Sequence, residues 1–172
     1  MFSAIRYILL FIVTILFQIF FFDRLSLSVF FAPMIYTLFI IMLPVNTSSA
    51  ATLACGLVTG VTMDIAMGTA GLNTIATLAV SYLRRPLLSF IVGRDGLREV
   101  GAPSPKRMGN RQFFEFIAAM VVIHGAVFNL FEVFSATNIV YTLLRFTVST
   151  LASLLFIWLL GRLFTYKSAS TL

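Results

Sequence analysis

The chain has 172 residues, of which 60% are hydrophobic and only 10% are charged. Soluble domains carry roughly 25% charged residues, so this composition excludes a water-soluble fold and indicates an integral membrane protein. The net charge of +6 is concentrated in one loop and beside apolar runs, a distribution typical of membrane topology and not of nucleic-acid binding.

Continuous apolar runs predict an all-α protein with six transmembrane helices in a single membrane domain, residues 1–172. A helix needs ~20 apolar residues to cross a bilayer. Strands of a membrane barrel would alternate apolar and polar residues, and these runs do not. The predicted spans cover about residues 7–22, 29–43, 50–67, 72–83, 113–134 and 143–164.

The first span begins like a signal peptide, and the fourth span is short. Arg6 and the first apolar run resemble a signal peptide, but the length of the run and the lack of a small-x-small site favour an uncleaved span. Pro44 ends the second span. The fourth span, with about twelve residues, would rise only ~18 Å. Either neighbouring helices shield it, or the break at Gly68–Gly71 lies inside the membrane.

A stripe of glycines surrounds one acidic residue in the third span. Gly56, Gly60, Asp64 and Gly68 recur at every fourth position, and Gly71 follows. Small residues at this spacing let helix backbones approach closely. A carboxylate within a membrane usually faces the bundle interior or a wet cavity. Asp64 could therefore pin the third helix to a neighbour, form an ion or substrate site, or contact a partner.

Other polar residues lie inside the predicted spans. Gln18 and Asn73 are expected to form hydrogen bonds between helices. His124, Asn129 and Glu132 fall within one arc of the fifth helix, so this polar face should look inward or at a partner.

Two further expectations concern these polar residues. A single histidine cannot build a metal site, so His124 is expected to be a hydrogen-bonded interior residue, with no metal. Glu132 and Arg145 flank the short turn 135–142, and we predict an ion pair between them. Phosphate-loop, zinc-protease and C-x-x-C motifs are missing from the sequence, which predicts a protein that is not an enzyme and has no cofactor.

The segment 84–112 is a basic loop. It holds seven of the twelve basic residues: Arg84, Arg85, Arg94, Arg98, Lys106, Arg107 and Arg111. Positive loops stay cytoplasmic, and six spans place ten basic residues on that side and two on the other, so both termini are predicted to be cytoplasmic. The loop could simply set topology and touch anionic lipids, or it could dock a cytoplasmic partner.

The order of these features resembles a known family. Gln18 near the end of the first span, the Pro-Met-Ile-Tyr sequence at Pro33–Tyr36, the Leu43-Pro44 exit, the glycine stripe with Asp64, and the stretch from Ile123-His124 to Ser135 are similar to the rod shape-determining protein MreD. One departure is visible, because many members have a histidine where this chain has Asn73.

The resemblance implies a non-enzymatic scaffold in the bacterial plasma membrane, within the cell-elongation complex that directs lateral peptidoglycan synthesis. Its implied partners are MreC, RodA, a penicillin-binding transpeptidase and MreB. It also implies a helix arrangement similar to the substrate-binding components of energy-coupling-factor transporters. Small-residue faces such as Gly125–Ala126 and Ser149–Ser153 are expected to receive a partner helix.

Two other classes of function stay open. A small-molecule binding or transport protein would need a cavity with converging polar groups, for which Asp64, Asn73, His124 and Asn129 are available. An ion-conducting oligomer would need rings of acidic residues, and Asp64 could supply one.

Overall fold

The computed structural model describes residues 2–23, 32–93, 101–133 and 139–167, and every regular element in these ranges is a helix. Helix α1, Phe2–Phe17, continues directly into a π-helical turn, Gln18–Asp23. The helices are α1 Phe2–Phe17, α2 Thr37–Met42, α3 Ser49–Met67, α4 Leu72–Val92, α5 Pro105–Met108, α6 Asn110–Val133 and α7 Ile139–Lys167.

Four of these helices, α3, α4, α6 and α7, are long and apolar enough to cross a membrane. The apolar part of α1, Ile5–Phe20, is shorter. With six residues, α2 rises only ~9 Å and cannot cross a bilayer alone. The predicted class, a helical membrane protein, agrees with these four helices.

The predicted end of the fourth span is wrong. Helix α4 does not stop at residue 83 but continues through Pro86 to Val92, giving 21 residues. Proline is tolerated in membrane helices because neighbours can satisfy the freed backbone groups. The apolar run Leu87–Val92 explains the extension, because Leu88 is fully buried. The predicted loop 84–112 is correspondingly shorter, and it also contains α5 and the start of α6.

Helix α2 lies in the middle of the bundle. Along the chain, α3 packs on α4, α4 on α6 and α6 on α7, while α2 contacts α1, α3, α4, α6 and α7. All six residues of α2 are buried. Its apolar side chains share one core with Phe113, Phe116, Met120 and Ile157, each of which is fully buried.

Contacts between helix ends define one end of the bundle, which we call the basic end. There the Val45 N–H donates to the Gly101 carbonyl at 2.5 Å. The Arg162 guanidinium donates to Asn110 Oδ1 at 3.0 Å, which joins the last turns of α7 to the start of α6. The turn after α2, the segment before α5 and the end of α7 therefore lie at one end.

Candidate functional site

The Asp64 carboxylate lies at the end of α3 and accepts five hydrogen bonds. Its Oδ1 atom accepts from Thr69 Oγ1 at 2.5 Å and from the backbone and side-chain amides of Asn73 at 3.0 and 3.1 Å. Its Oδ2 atom accepts from the backbone N–H and the hydroxyl of Thr74 at 2.9 and 2.5 Å. A carboxylate offers about four acceptor positions, so this one is saturated from within the chain.

These bonds explain how α4 begins. The first N–H groups of a helix have no partner within it, and a side-chain oxygen at the N-cap usually accepts from them. Here the N-cap is Gly71, which has no side chain. Asp64 supplies the missing oxygen from the preceding helix, and its negative charge suits the positive end of the α4 dipole. The geometry favours the interpretation of Asp64 as a pin between α3 and α4.

The glycine stripe divides into two roles. A Cβ at Gly56 would collide with Ser81, and one at Gly60 would collide with the Thr74 backbone, so these glycines let α3 and α4 approach closely. Gly68 and Gly71 have open space around them but φ values of 66° and 88°, in the left-handed region. They form the tight turn that carries the N-terminus of α4 to Asp64.

A line of hydrogen bonds extends from Asp64 across the bundle. The Tyr36 hydroxyl, at the start of α2, lies 2.6 Å from Asn73 Oδ1 and 3.0 Å from His124 Nε2. All three of these residues are almost fully buried. We call Asp64, Asn73, Tyr36 and His124 the polar chain. It joins α3, α4, α2 and α6.

The donors of the polar chain point in one direction. The Asn73 amide donates to Asp64 and the Tyr36 O–H donates to the Asn73 carbonyl oxygen. The tyrosine oxygen can then only accept from His124, which assigns the Nε2–H tautomer to that ring. The predicted interior, hydrogen-bonded roles of Asn73 and His124 fit this geometry. The importance of Tyr36 as the link was missed, because one tyrosine in an apolar run gives no such signal.

Before α2 the backbone is not a regular helix, and this corrects the predicted second span. Residues 29–31 lie outside the described residues, and 32–36 form an irregular segment. Gln18, in the π-helical turn, donates to the Pro33 carbonyl at 3.0 Å and accepts from the Ile35 N–H at 2.7 Å. Irregular backbone within a membrane protein requires such internal partners. The buried Pro33 thus belongs to this segment and not to a packed helix.

Two serines of α7 complete the hydrogen bonding of the irregular segment. Ser149 Oγ accepts from the Ala32 N–H at 3.1 Å, and Ser153 Oγ accepts from the Met34 N–H at 2.8 Å. Gly125, on α6, packs against Phe146 of α7. The expected partner faces at Gly125 and Ser149–Ser153 are therefore used inside the bundle. Serines at positions i and i+4 lie on one helix face, and this spacing could have indicated a shared inward role.

Arg84 contacts the other end of α2, and its predicted place in a loop is wrong, because it belongs to α4. The side chain is 2% exposed. Its guanidinium donates to the Leu43 carbonyl and makes longer contacts with the carbonyls of Ile41 and Pro44, at 3.5 and 3.4 Å. The last carbonyls of a helix have no partner within it, and a cation there also suits the dipole.

The remaining predicted polar residues are separate from the polar chain. Asn129 donates to the Gly125 carbonyl of its own helix at 2.8 Å. The predicted ion pair is confirmed, because Arg145 Nη1 lies 2.6 Å from Glu132 Oε1. A cavity of about 20 Å³ lies beside His124 and Asn129, which is enough for about one water molecule.

The other basic residues of segment 84–112 differ in their surroundings. Arg85, Lys106, Arg107 and Arg111 are exposed, and Arg111 pairs with Glu115 at 2.8 Å. Arg94 and Arg98 lie outside the described residues. Within the described ranges, no group of three or more histidine, cysteine, aspartate or glutamate side chains could hold a metal ion.

Fold and site together define a helical membrane protein in which a short, buried helix is fixed at both ends by polar side chains from other helices. Comparison with family models, with curated proteins and with solved structures finds no match for this chain.

Proposed function

We propose that this chain is a non-enzymatic membrane scaffold of the bacterial cell-elongation complex, as its resemblance to MreD implies. The observation that carries the proposal is that the hydrogen bonds around Asp64 and before α2 are satisfied from within the chain. Asp64 accepts five hydrogen bonds from Thr69, Asn73 and Thr74, and the irregular segment before α2 bonds to Gln18, Ser149 and Ser153. These groups hold the bundle in one shape, which suits a protein that presents surfaces to partners.

The outer surface supplies the second support. Helix α7 is the most exposed of the four long helices, because only 11% of the residues in its most apolar stretch are buried. One face of this helix is an apolar stripe of exposed residues, which are Leu144, Val148, Leu151, Leu155 and Leu159. In a membrane such a face is covered either by lipid or by the packed side chains of another helix. We propose that the transmembrane segment of MreC packs on an exposed helix face, with RodA, a penicillin-binding transpeptidase and MreB in the same assembly.

The proposal includes a topology. Helices α1 and α2 with the flanking residues would complete six passes in the plasma membrane, in an arrangement like that of energy-coupling-factor substrate components. The basic end would face the cytoplasm together with both termini, and its exposed arginines would contact anionic lipids.

Co-purification with MreC tests the scaffold. One tryptophan is placed on an exposed face of each long helix, using Ile12→Trp, Ala54→Trp, Ile75→Trp, Ala126→Trp and Leu155→Trp, at positions that are exposed in the bundle. At least one variant should lose MreC while keeping the wild-type elution volume in detergent. Retention of MreC by all five folded variants would contradict the proposal. Gly60→Leu cannot serve here, because it would collide with the Thr74 backbone and test the fold.

The alternative, a small-molecule binding or transport protein that uses the polar chain, has less support. Ligand sites usually have volumes of ~300–1,000 Å³, whereas the cavity beside His124 and Asn129 measures about 20 Å³. Asp64 has no acceptor position left for a ligand. Ligand-dependent thermal stabilisation that disappears in His124→Ala would favour this alternative.

A further inference from the structure

A second cavity, of about 270 Å³, lies near the basic end, between the start of α3, the turn after α2 and the middle of α4. This volume approaches the lower end of the range for ligand sites, ~300–1,000 Å³. Its polar lining consists mainly of hydroxyls and guanidinium groups, from Thr47, Ser49, Thr52, Ser81, Arg84 and Arg85. The polar chain contributes none of these residues.

The electrostatics of this cavity favour an anion. Arg84 and Arg85 are its charged residues, and no acidic side chain belongs to the described residues that line it. The N-terminus of α3 begins at Ser49 on the same wall. A helix N-terminus carries a partial positive charge and directs N–H groups at a ligand. The lining of the cavity therefore includes two arginines and the positive end of one helix.

Two residues that line the cavity, Ser81 and Arg84, each carry a buried polar atom with no partner among the described residues. Ser81 Oγ and Arg84 Nε have no hydrogen-bond partner in the described part of the chain. The two residues are only 4% and 2% exposed. Leaving such groups unpaired is costly, and it calls for an explanation. The Arg84 Nε–H group can only donate a hydrogen bond, so the group that completes it is an acceptor, and the Ser81 hydroxyl beside Gly56 can donate to the same acceptor.

We propose that this cavity binds a phosphate group, carried either by an anionic lipid or by a soluble phosphate compound. Phosphate offers several acceptor oxygens and negative charge, which match the arginines, the hydroxyls and the start of α3. The proposal goes beyond the scaffold function and does not depend on it. In this site Arg85 is the accessible cation, while Arg84 is held in place by the carbonyls of α2.

The experiment measures binding to the purified full chain in detergent. Dimyristoyl phosphatidic acid and dimyristoylglycerol form a matched pair that differs only in the phosphate, and inorganic phosphate represents the soluble source. We expect thermal stabilisation by phosphatidic acid or by inorganic phosphate, but not by dimyristoylglycerol. Stabilisation by the lipid alone assigns the phosphate to a lipid headgroup, and stabilisation by both assigns a site open to soluble phosphates.

Variants locate the site. Arg85→Gln should weaken binding about fivefold, the ratio that corresponds to ~1 kcal/mol for one basic residue near a membrane surface. Ser81→Ala should also weaken binding without lowering the stability of the ligand-free protein, because it removes an unpartnered hydroxyl. Arg111→Gln is the matched control, with the same charge change in an exposed residue outside the cavity. The proposal would be overturned if Arg85→Gln and Arg111→Gln lost binding affinity equally, or if neither phosphatidic acid nor inorganic phosphate bound.

Discussion

The α3–α4 hairpin and helix α2 differ in where their backbone groups find hydrogen-bond partners. Both must satisfy polar backbone groups in an apolar interior. In the hairpin the partners are close in sequence, since Asp64 bonds to groups at positions 69, 73 and 74. On either side of α2 the partners are distant in sequence, since the Ala32 N–H donates to Ser149 and the Leu43 carbonyl accepts from Arg84.

The stability of the hairpin and that of α2 therefore depend on different parts of the bundle. The hairpin can form its cap as soon as α3 and α4 meet, because every bonding group lies between residues 64 and 74. Helix α2 has only six residues, too few for a stable isolated helix. It therefore depends on α1, α4, α6 and α7 being in place. The hairpin should behave as a local unit and α2 as a feature of the complete bundle.

The largest effect is expected from removing the hairpin's cap. Asp64→Ala leaves five donors without their acceptor, of which the two of Asn73 are buried and those of Thr69 and Thr74 are partly buried. Each buried donor that finds no substitute costs roughly 1–3 kcal/mol. We expect a loss on the order of 3 kcal/mol or more, measured as a lower melting temperature in detergent. Asp64→Asn keeps one acceptor oxygen, so its melting temperature should lie between those of the wild type and Asp64→Ala. If Asp64→Ala had the same melting temperature as the wild type, the cap would not stabilise the hairpin.

The next effect tests α2 at its C-terminal end. Arg84→Met keeps much of the side-chain volume but leaves the carbonyls near Leu43 unpaired, and hydrogen bonds from charged donors contribute about 1.5–3 kcal/mol. We expect a clear fall in melting temperature. Arg85→Met, at the exposed neighbouring position, is the control and should melt close to wild type. Equal melting of the two variants would contradict a stabilising role for the buried guanidinium.

Tyr36→Phe breaks the polar chain where the two regions join. The change leaves Asn73 Oδ1 and the His124 ring nitrogen without their shared partner, at a cost of about 2 kcal/mol. The control is Tyr82→Phe, which removes a hydroxyl from a residue that is 70% exposed. A greater loss of thermal stability in Tyr82→Phe than in Tyr36→Phe would argue against the chain as a link.

The smallest effect concerns backbone geometry in the hairpin. Gly68 has open space around it but a φ of 66°, so Gly68→Ala should cost about 1–2 kcal/mol through the left-handed conformation alone. Gly68→Asn should cost less, because asparagine enters this region more readily. Comparison of the two melting temperatures checks the assignment. If alanine is tolerated better than asparagine, the strain is not the reason for glycine here.

Much of the hairpin could be predicted because its signals are local. The four-residue spacing of Gly56 and Gly60 indicates close helix packing, and the pair Gly68 and Gly71 indicates a break between two helices. Asp64 was recognised as a candidate pin, although its exact partners were not. The same reasoning failed at α4, where Pro86 and the arginines beside it suggested a loop while the apolar residues that follow continue the helix.

The amino-acid sequence by itself determined the membrane class, the positions of α3, α6 and α7, the start of α4 and the Glu132–Arg145 pair, because apolar length and short-range spacing are local properties of the chain. Only the tertiary structure decided that α2 is short and buried, and that Arg84 lies inside the bundle. The physical reason is that a break in a helix is stable only where other helices supply its hydrogen bonds. Those partners, Gln18, Arg84, Ser149 and Ser153, are between 15 and 119 positions away along the chain.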